Sequence, residues 1–290
     1  MTLSRQELAR QALRRSIEVR RAAKLDINRA IDPFDLCDRL GIKVRFVEVS
    51  MEGLYKKGKT PRILLSSLRP LVRRVFNCGH EVGHWAFGHG TRLDSLIEGC
   101  SRDEFHPDEF LVDTFSGFLL MPPLGVRKAF ARRGWKPETA TPDQFYTVAC
   151  SFGVGYDTLI EHCAYSLGML SRARAEIVGK ESPKQIRERI LGRATPEPLV
   201  VVDTLWELPT IDVEVGTLIS LPATVQVEGD LLEEQSLTTM EGRLFRATGT
   251  GIGRIVDSAR SWAAFVRVTR FQFAGLCSNR HLEDPDHDDE

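Results

Sequence analysis

The chain has 290 residues and a formal net charge of −1, so it lacks the overall basic field that attracts nucleic acid. No apolar run approaches the roughly 20 residues of a membrane span, and the first residues, Met1 to Arg21, lack the hydrophobic stretch of a signal peptide. The six cysteines form no C-x-x-C pair, which is typical of free thiols in a reduced compartment. We therefore expect a cytoplasmic protein with no membrane partner.

Residues 4–30 form a predicted helix. Ser4 and Glu7 have the spacing of a capping box, and apolar residues recur after them at helical spacing. The opposite face is rich in basic residues, which is typical of a solvated surface; contact with a DNA backbone is a second hypothesis. The basic residues of this face are Arg5, Arg10, Arg14, Arg15, Arg20, Arg21, Lys24 and Arg29.

Two strands are predicted next. Asp32 followed by Pro33 indicates the start of a short helix. Residues 42–46 and 62–65 then have the composition of strands. We expect residues 62–65 to offer a strand edge to an extended substrate peptide, with an ordinary interior strand as the alternative.

An H-E-x-x-H motif follows, in a segment whose apolar residues have helical spacing. His80 and His84 are four residues apart on one helix face, so both imidazoles can reach one zinc ion, with Glu81 beside them as general base. Gly83 is unusual here, because glycine in a helix interior costs about 1 kcal/mol relative to alanine. We expect its missing side chain to let a strand or a substrate approach the metal.

A catalytic zinc site needs a third protein ligand. A second helix is predicted from Pro107, with acidic residues in its first turn. Glu109 and Asp113 lie on one face of it, which suits Glu109 as the ligand and Asp113 as acceptor for the outer N–H of a liganding imidazole. A solvated helix start is the alternative for this pair.

A polar connection, residues 91–105, separates the two helices. Its Cys100 is either incidental or a latency ligand whose thiolate occupies the open metal position and displaces the catalytic water. Either His106 or Tyr55 could polarise the scissile carbonyl, and their spacing does not choose between them.

The order of these segments resembles the ImmA/IrrE family of bacterial zinc peptidases over roughly residues 25–125. The resemblance is carried by Ile31-Asp32-Pro33-Phe34, Leu40-Gly41-Ile42-Lys43-Val44, Ile63-Leu64-Leu65, the H-E-x-x-H helix and Glu109 to Leu119-Leu120-Met121-Pro122. The sequence departs from the family pattern at Asn77-Cys78, where Thr-Leu is usual, at Ser66, where Asn is frequent, and at Val112, where Ala is usual. None of these positions is a ligand or the base.

The resemblance implies a gluzincin-like core. By position, His80, His84 and Glu109 would bind zinc and Glu81 would be the base. Family members typically cleave a partner helix-turn-helix repressor and so switch on genes of mobile elements, DNA-damage responses or phage defence. We therefore expect a Zn²⁺-dependent endopeptidase, with Mn²⁺ possible in assays, a repressor as substrate, and single-stranded DNA as a conceivable activator.

Residues 126–194 are predicted to be helical, and around residues 145–160 they resemble the helix-turn-helix often found after this core. This segment could read DNA or brace the peptidase. We favour the brace, because the second helix carries Asp157 and Glu161 and no basic residue to contact phosphates.

Residues 195–282 are predicted to be rich in strands after a linker at residues 195–198. IrrE-like proteins carry a GAF-like sensor domain in this place, so a sensor is the expectation. A glycine-rich run at residues 249–253 lacks the lysine of a phosphate-binding loop and is interpreted as a turn. Residues 283–290 form an acidic tail that we expect to be disordered.

The sequence thus predicts an α+β protein with a zinc peptidase domain (1–125), a helical segment (126–194), a strand-rich domain expected to act as a sensor (195–282) and the acidic tail (283–290). The alternative function is a DNA-binding or sensor protein that uses a peptidase-like fold as a scaffold. A scaffold would not need His80, Glu81, His84 and Glu109 together, which favours the enzyme.

Overall fold

The computed structural model describes residues 4–94, 105–239, 242–257 and 262–282. The chain divides into two compact units. The first contains the described residues up to Pro123 together with Gln272–Asn279, and the second contains Leu124–Phe271 and the described residues from Arg280 onward. Within the described part of the chain, no helix combines the length and the apolar character that a membrane crossing needs.

The first unit alternates helices and strands as the sequence predicts. Its first helix is shorter than expected, because Lys24 adopts a left-handed conformation with φ 56° just beyond the helix end. In chain order the elements are α1 (Arg5–Ala22), α2 (Pro33–Arg39), β1 (Lys43–Val47), β2 (Gly53–Lys56), β3 (Arg62–Ser66), α3 (Leu71–Phe87), β4 (Arg92–Asp94) and α4 (Pro107–Leu120).

The second unit contains helices followed by strands. The helices are α5 (Pro123–Arg132), α6 (Pro142–Ser151), α7 (Tyr156–Glu161) with a π-helical turn (His162–Ser166), α8 (Arg172–Val178) and α9 (Pro183–Leu191). The strands are β5 (Leu199–Val201), β6 (Thr210–Glu214), β7 (Leu218–Pro222), β8 (Gln226–Glu228), β9 (Leu232–Thr239), β10 (Gly242–Ala247), β11 (Gly251–Asp257) and β12 (Trp262–Thr269).

The chain then returns to the first unit. A last strand, β13 (Gly275–Leu276), pairs antiparallel with β1 and gives the five-stranded sheet β13-β1-β3-β2-β4. Phe273, just before β13, packs edge-on against Phe46 of β1 with ring centroids 6.4 Å apart. Residues far along the sequence therefore complete the sheet of the first unit.

The prediction that residues 62–65 offer a strand edge to a substrate is wrong. The strand of residues 62–65 is β3, which pairs in parallel with β1 on one side and antiparallel with β2 on the other. Its backbone groups are used by both neighbours, so β3 has no edge to offer a substrate. The edge strands of this sheet are β13 and β4.

The basic face of α1 is only partly solvated. Arg20 is fully buried and donates to the carbonyl oxygens of Leu119 and Asp26, and Arg15 donates to that of Ala86. Ala86 and Leu119 lie in the last turns of α3 and α4, where carbonyls have no partner within the helix and a cation is favourable. These two arginines therefore hold the ends of the two helices on which the predicted site lies.

Two four-stranded sheets of the second unit, β5-β7-β10-β9 and β6-β12-β11-β8, share one apolar cluster. Representative members are Ile219 of β7, Phe245 of β10, Ile255 of β11 and Val266 of β12. Alternate residues of each strand point to the same face, so these side chains fill the space between the sheets.

The segment predicted as a linker is packed rather than free. Thr195 is buried, and Glu197 forms ion pairs with Arg193 and Arg246. The helices are also attached to the strands, since the Tyr146 hydroxyl of α6 donates to the Leu199 carbonyl of β5 over 2.7 Å. The helical and strand-rich segments that the sequence separates thus lie in one compact unit.

The five cysteines in the described residues are free, as the sequence predicts, and four of them are buried. Cys37 of α2 and Cys78 of α3 lie with their sulfur atoms 3.7 Å apart. Burial, followed by the neighbouring Cys37 thiol, raises the pKa of Cys78 well above its ordinary value. The Cys78 thiol is therefore protonated and unreactive at neutral pH.

Candidate metal centre

The helix α3 carries the H-E-x-x-H motif on its buried side. It ends at Gly88, whose φ of 72° is left-handed and whose N–H donates to the carbonyls of His84 and Trp85. His84 is fully buried and Glu81 is 1% exposed, whereas His80 is partly exposed. His80 is thus partly accessible to solvent, whereas His84 and Glu81 are enclosed.

The helix α4 approaches α3 closely at two glycines. A Cβ at Gly79 would lie 2.5 Å from the Ser116 hydroxyl, and one at Gly83 would lie 3.0 Å from Val112. The Ser116 hydroxyl also donates to the Phe76 carbonyl across this contact. The expectation that Gly83 admits a strand or a substrate is therefore wrong, because its space is filled by α4.

This approach brings Glu109, in the first turn of α4, to the two histidines. The Nε2 atoms of His80 and His84 are 3.1 Å apart, and Glu109 Oε2 lies 3.4 Å from the first and 3.8 Å from the second. Within the described residues, these three are the one group of at least three His, Cys, Asp or Glu side chains whose ligand atoms all lie within 4.8 Å.

The spacing of these atoms fits a zinc ion. With Zn–N and Zn–O bonds near 2.0–2.2 Å, tetrahedral geometry places ligand atoms about 3.3–3.5 Å apart. The observed distances are close to this range without any rearrangement of the backbone. Two imidazoles and one carboxylate are also a donor set of catalytic zinc sites, which leave a further position open.

Each histidine has a partner on its outer nitrogen. Asp113 Oδ1 lies 2.7 Å from His80 Nδ1, so the carboxylate can accept the Nδ1–H and leave Nε2 with its lone pair towards the cluster. On His84 the corresponding partner is His89, whose Nδ1 lies 2.9 Å from His84 Nδ1. The sequence predicts the role of Asp113, whereas the position of His89 is seen only in the structure.

Residues 37–163 match the model of a peptidase family described as the IrrE N-terminal-like domain. This part of the chain is similar to an IrrE N-terminal-like domain. The resemblance to the ImmA/IrrE family is thereby confirmed over a range that contains the whole donor cluster. No curated protein matches the chain.

The IrrE-like domain does not coincide with one compact unit. The matched range runs past Pro123 into the helices of the second unit, while Gln272–Asn279 of the first unit lies outside it. The sheet next to α3 therefore includes a strand, β13, that the family match does not cover.

Glu81 of the IrrE-like domain packs against a glycine of the neighbouring strand. A Cβ at Gly53 in β2 would lie 2.3 Å from Glu81 Oε1. One turn earlier on α3, Asn77 donates to the backbone carbonyl and to the carboxylate of Glu52. These contacts fix the start of β2 against α3, so that the absent side chain of Gly53 provides the space that the Glu81 carboxylate occupies.

The Glu52 carboxylate is itself held by cations. Burial alone would raise the pKa of Glu52, but hydrogen bonds from Asn77 and Arg73 outweigh burial and keep this pKa below its ordinary value. Arg69 adds an ion pair at 3.3 Å. Glu52 is thus charged at neutral pH, and the contact between α3 and β2 is charge-assisted.

Two further candidates from the sequence, Tyr55 and His106, are described by the structure and are not members of the donor cluster. Tyr55 lies on β2 with a buried side chain, and burial raises its pKa. His106 is the residue before α4 and is exposed, with no side-chain capping bond. Cys100, the possible latency ligand, and the acidic tail lie outside the described residues.

Proposed function

We propose that the chain is a zinc-dependent endopeptidase, with His80, His84 and Glu109 as metal ligands and Glu81 as catalytic base. The observation that carries the proposal is the convergence of three suitable ligand atoms beside a buried glutamate, inside an IrrE-like peptidase domain. Zinc would supply a Lewis acid that polarises the peptide carbonyl and lowers the pKa of a water molecule.

The chain's own groups account for proton transfer and ligand orientation. The Glu81 carboxylate takes the proton of the attacking water and delivers it to the leaving amine nitrogen. Gly53 allows this carboxylate to lie against β2, because the glycine has no side chain in the space that Oε1 occupies. Asp113 orients His80 by accepting its Nδ1–H.

We propose a single protein substrate, a helix-turn-helix transcriptional repressor, whose cleavage derepresses stress, mobile-element or phage-defence genes. This substrate class follows the role of the ImmA/IrrE family. The family match itself supports a peptidase and does not name a substrate. A repressor substrate would place the reaction in the cytoplasm.

The second unit is proposed as the sensor of an inducing signal, and single-stranded DNA is one candidate for that signal. The GAF-like character of this unit stays a prediction.

We also propose that the helical segment braces the peptidase rather than reads DNA. The second helix of the suggested helix-turn-helix, α7, is six residues long and contains no Arg or Lys. The Tyr156 hydroxyl at its start donates to the Val178 carbonyl, so this helix is tied to α8 by its own side chain.

The test is incubation of the full chain with the helix-turn-helix protein encoded beside it, with and without zinc, manganese and single-stranded DNA. Glu81→Gln is the matched control, since it keeps the shape of the side chain and removes the base. A discrete cut that is absent in the control supports the proposal, and dependence on DNA identifies the activator. A metal-loaded wild-type chain that never cuts, together with a DNA footprint that survives Glu81→Gln, would favour the scaffold alternative.

A further inference from the structure

His89 lies directly behind the second metal-ligand candidate. Its Nδ1 is 2.9 Å from His84 Nδ1, and the two ring centroids are 5.1 Å apart. The other ring nitrogen of His84, Nε2, is the one that faces His80 and Glu109. His84 therefore uses one nitrogen towards the proposed metal position and the other towards His89.

Two Nδ1 atoms at this distance share one hydrogen. Which of the two histidines carries this hydrogen decides whether Nε2 of His84 can bind a metal. If His84 donates, its Nε2 keeps a lone pair for the metal and His89 carries its own hydrogen on Nε2. If His89 donates, neutral His84 must carry its hydrogen on Nε2, which then cannot be a ligand. Only the first arrangement is compatible with the donor cluster.

The backbone after α3 is built to place His89 there. The left-handed turn at Gly88 reverses the chain, and the His89 N–H donates to the His84 carbonyl over 3.0 Å. Phe87 stacks on the His89 ring with an interplanar angle of 28° and also contacts Phe115 of α4. Backbone and aromatic contacts thus restrict the position of the His89 ring independently of any metal.

We propose that His89 is a positioning residue for His84: it accepts the Nδ1–H of His84 and holds that ring in the tautomer and orientation that present Nε2 to zinc. This inference rests on the proposed metal site. It assigns to His89 the role that Asp113 has towards His80, with a neutral ring nitrogen in place of a carboxylate.

The experiment compares His89→Asn with His89→Leu in the full chain. The asparagine Oδ1 occupies nearly the place of the histidine Nδ1 and accepts a hydrogen bond, whereas leucine has a similar size and no acceptor. Zinc dissociation constants are measured by competition with a chromophoric chelator, using zinc alone as the probe. We expect His89→Leu to weaken zinc binding about 10–100-fold and His89→Asn to restore most of the loss.

Equal zinc affinities of the two variants, with wild type binding one zinc, would overturn this inference and leave the proposed peptidase intact. A wild-type chain that binds no zinc would overturn both proposals. Thermal unfolding of the two variants without metal controls for packing, and equal midpoints are expected.

A second measurement needs no variant. In zinc-loaded protein labelled with ¹⁵N-histidine, two-bond ¹H–¹⁵N spectra report which ring nitrogen of each histidine carries the hydrogen. We expect the hydrogen of His84 on Nδ1 and that of His89 on Nε2. The reverse assignment would overturn the inference even if both variants failed to fold.

Discussion

The first unit encloses two ionisable side chains of the proposed metal site, Glu81 and His84, next to each other, whereas the second unit keeps its charged pairs apart around an apolar cluster. Glu81 and His84 are enclosed between α3, α4 and β2. In the second unit, Arg133 pairs with Asp203, and Arg267 of β12 pairs separately with Asp212 of β6. Buried polar groups cost stability unless they are paired, and they are retained where they act. Substitutions next to Glu81 and His84 in the first unit should therefore change activity, and those in the apolar cluster of the second should change stability.

The largest effect on stability is expected in the second unit. Ile219 of β7 is fully buried in the apolar cluster, so Ile219→Ala should lower the free energy of unfolding by about 2–5 kcal/mol. The matched variant is Ile252→Ala on β11, where the side chain is 53% exposed, and a loss below about 1 kcal/mol is expected. Denaturant unfolding measures both. Equal losses would contradict the location of the core.

The next largest effect on stability is expected at a buried charge of the first unit that is structural. Arg20 donates to the carbonyls of Leu119, Asp26 and Arg29, and burial lowers its pKa to about 10, so it is charged at neutral pH. Arg20→Gln should leave buried carbonyls without donors and cost about 3 kcal/mol. Arg14→Gln, at an exposed position of α1, should change stability by less than about 0.5 kcal/mol. A similar small effect of both would restore the view of a solvated basic face.

The comparison predicts a loss of activity without a loss of fold at Gly53. A Cβ there would displace the Glu81 carboxylate, the far end of a flexible side chain, so Gly53→Ala should lower kcat/KM about 10²-fold. Bound zinc should stay unchanged. The control in the second unit is Gly253→Ala, where a Cβ would meet its nearest atom at an ordinary 3.6 Å. Full activity of Gly53→Ala would show that Glu81 acts from another position.

The smallest effect concerns the metal. A ligand that binds only the folded state at about tenfold above its dissociation constant adds about 1.4 kcal/mol of stability. Chelation should therefore speed hydrogen exchange in α3 and α4 and leave β6 and β12 unchanged. Equal changes in both units, or none in α3, would contradict a metal site confined to the first unit.

The donor cluster could be predicted from the sequence because its geometry is local. Residues four apart on a helix share a face, which places His80 with His84 and Glu109 with Asp113. The helix α4 was predicted by composition, and its approach to α3 needed only small residues. The structure shows these to be Gly79 and Gly83.

The parts that were missed depend on contacts between distant residues or on one turn. The register of β13 on β1 joins residues far apart in the chain, and no local pattern contains it. Arg20 has the charge of a surface residue, and only its position against α4 shows that it is structural. The role of His89 depends on the left-handed turn at Gly88; the close spacing of His84 and His89 was the one signal for it.

The most direct test of the central claim is the zinc content of purified wild-type protein, Glu109→Gln and Glu81→Gln after dialysis against limiting zinc. We expect one zinc per chain in wild type and in Glu81→Gln, and a substantial loss in Glu109→Gln, because Glu109 is a proposed ligand and Glu81 is not. Absence of zinc from wild type, or an undiminished content in Glu109→Gln, would contradict it.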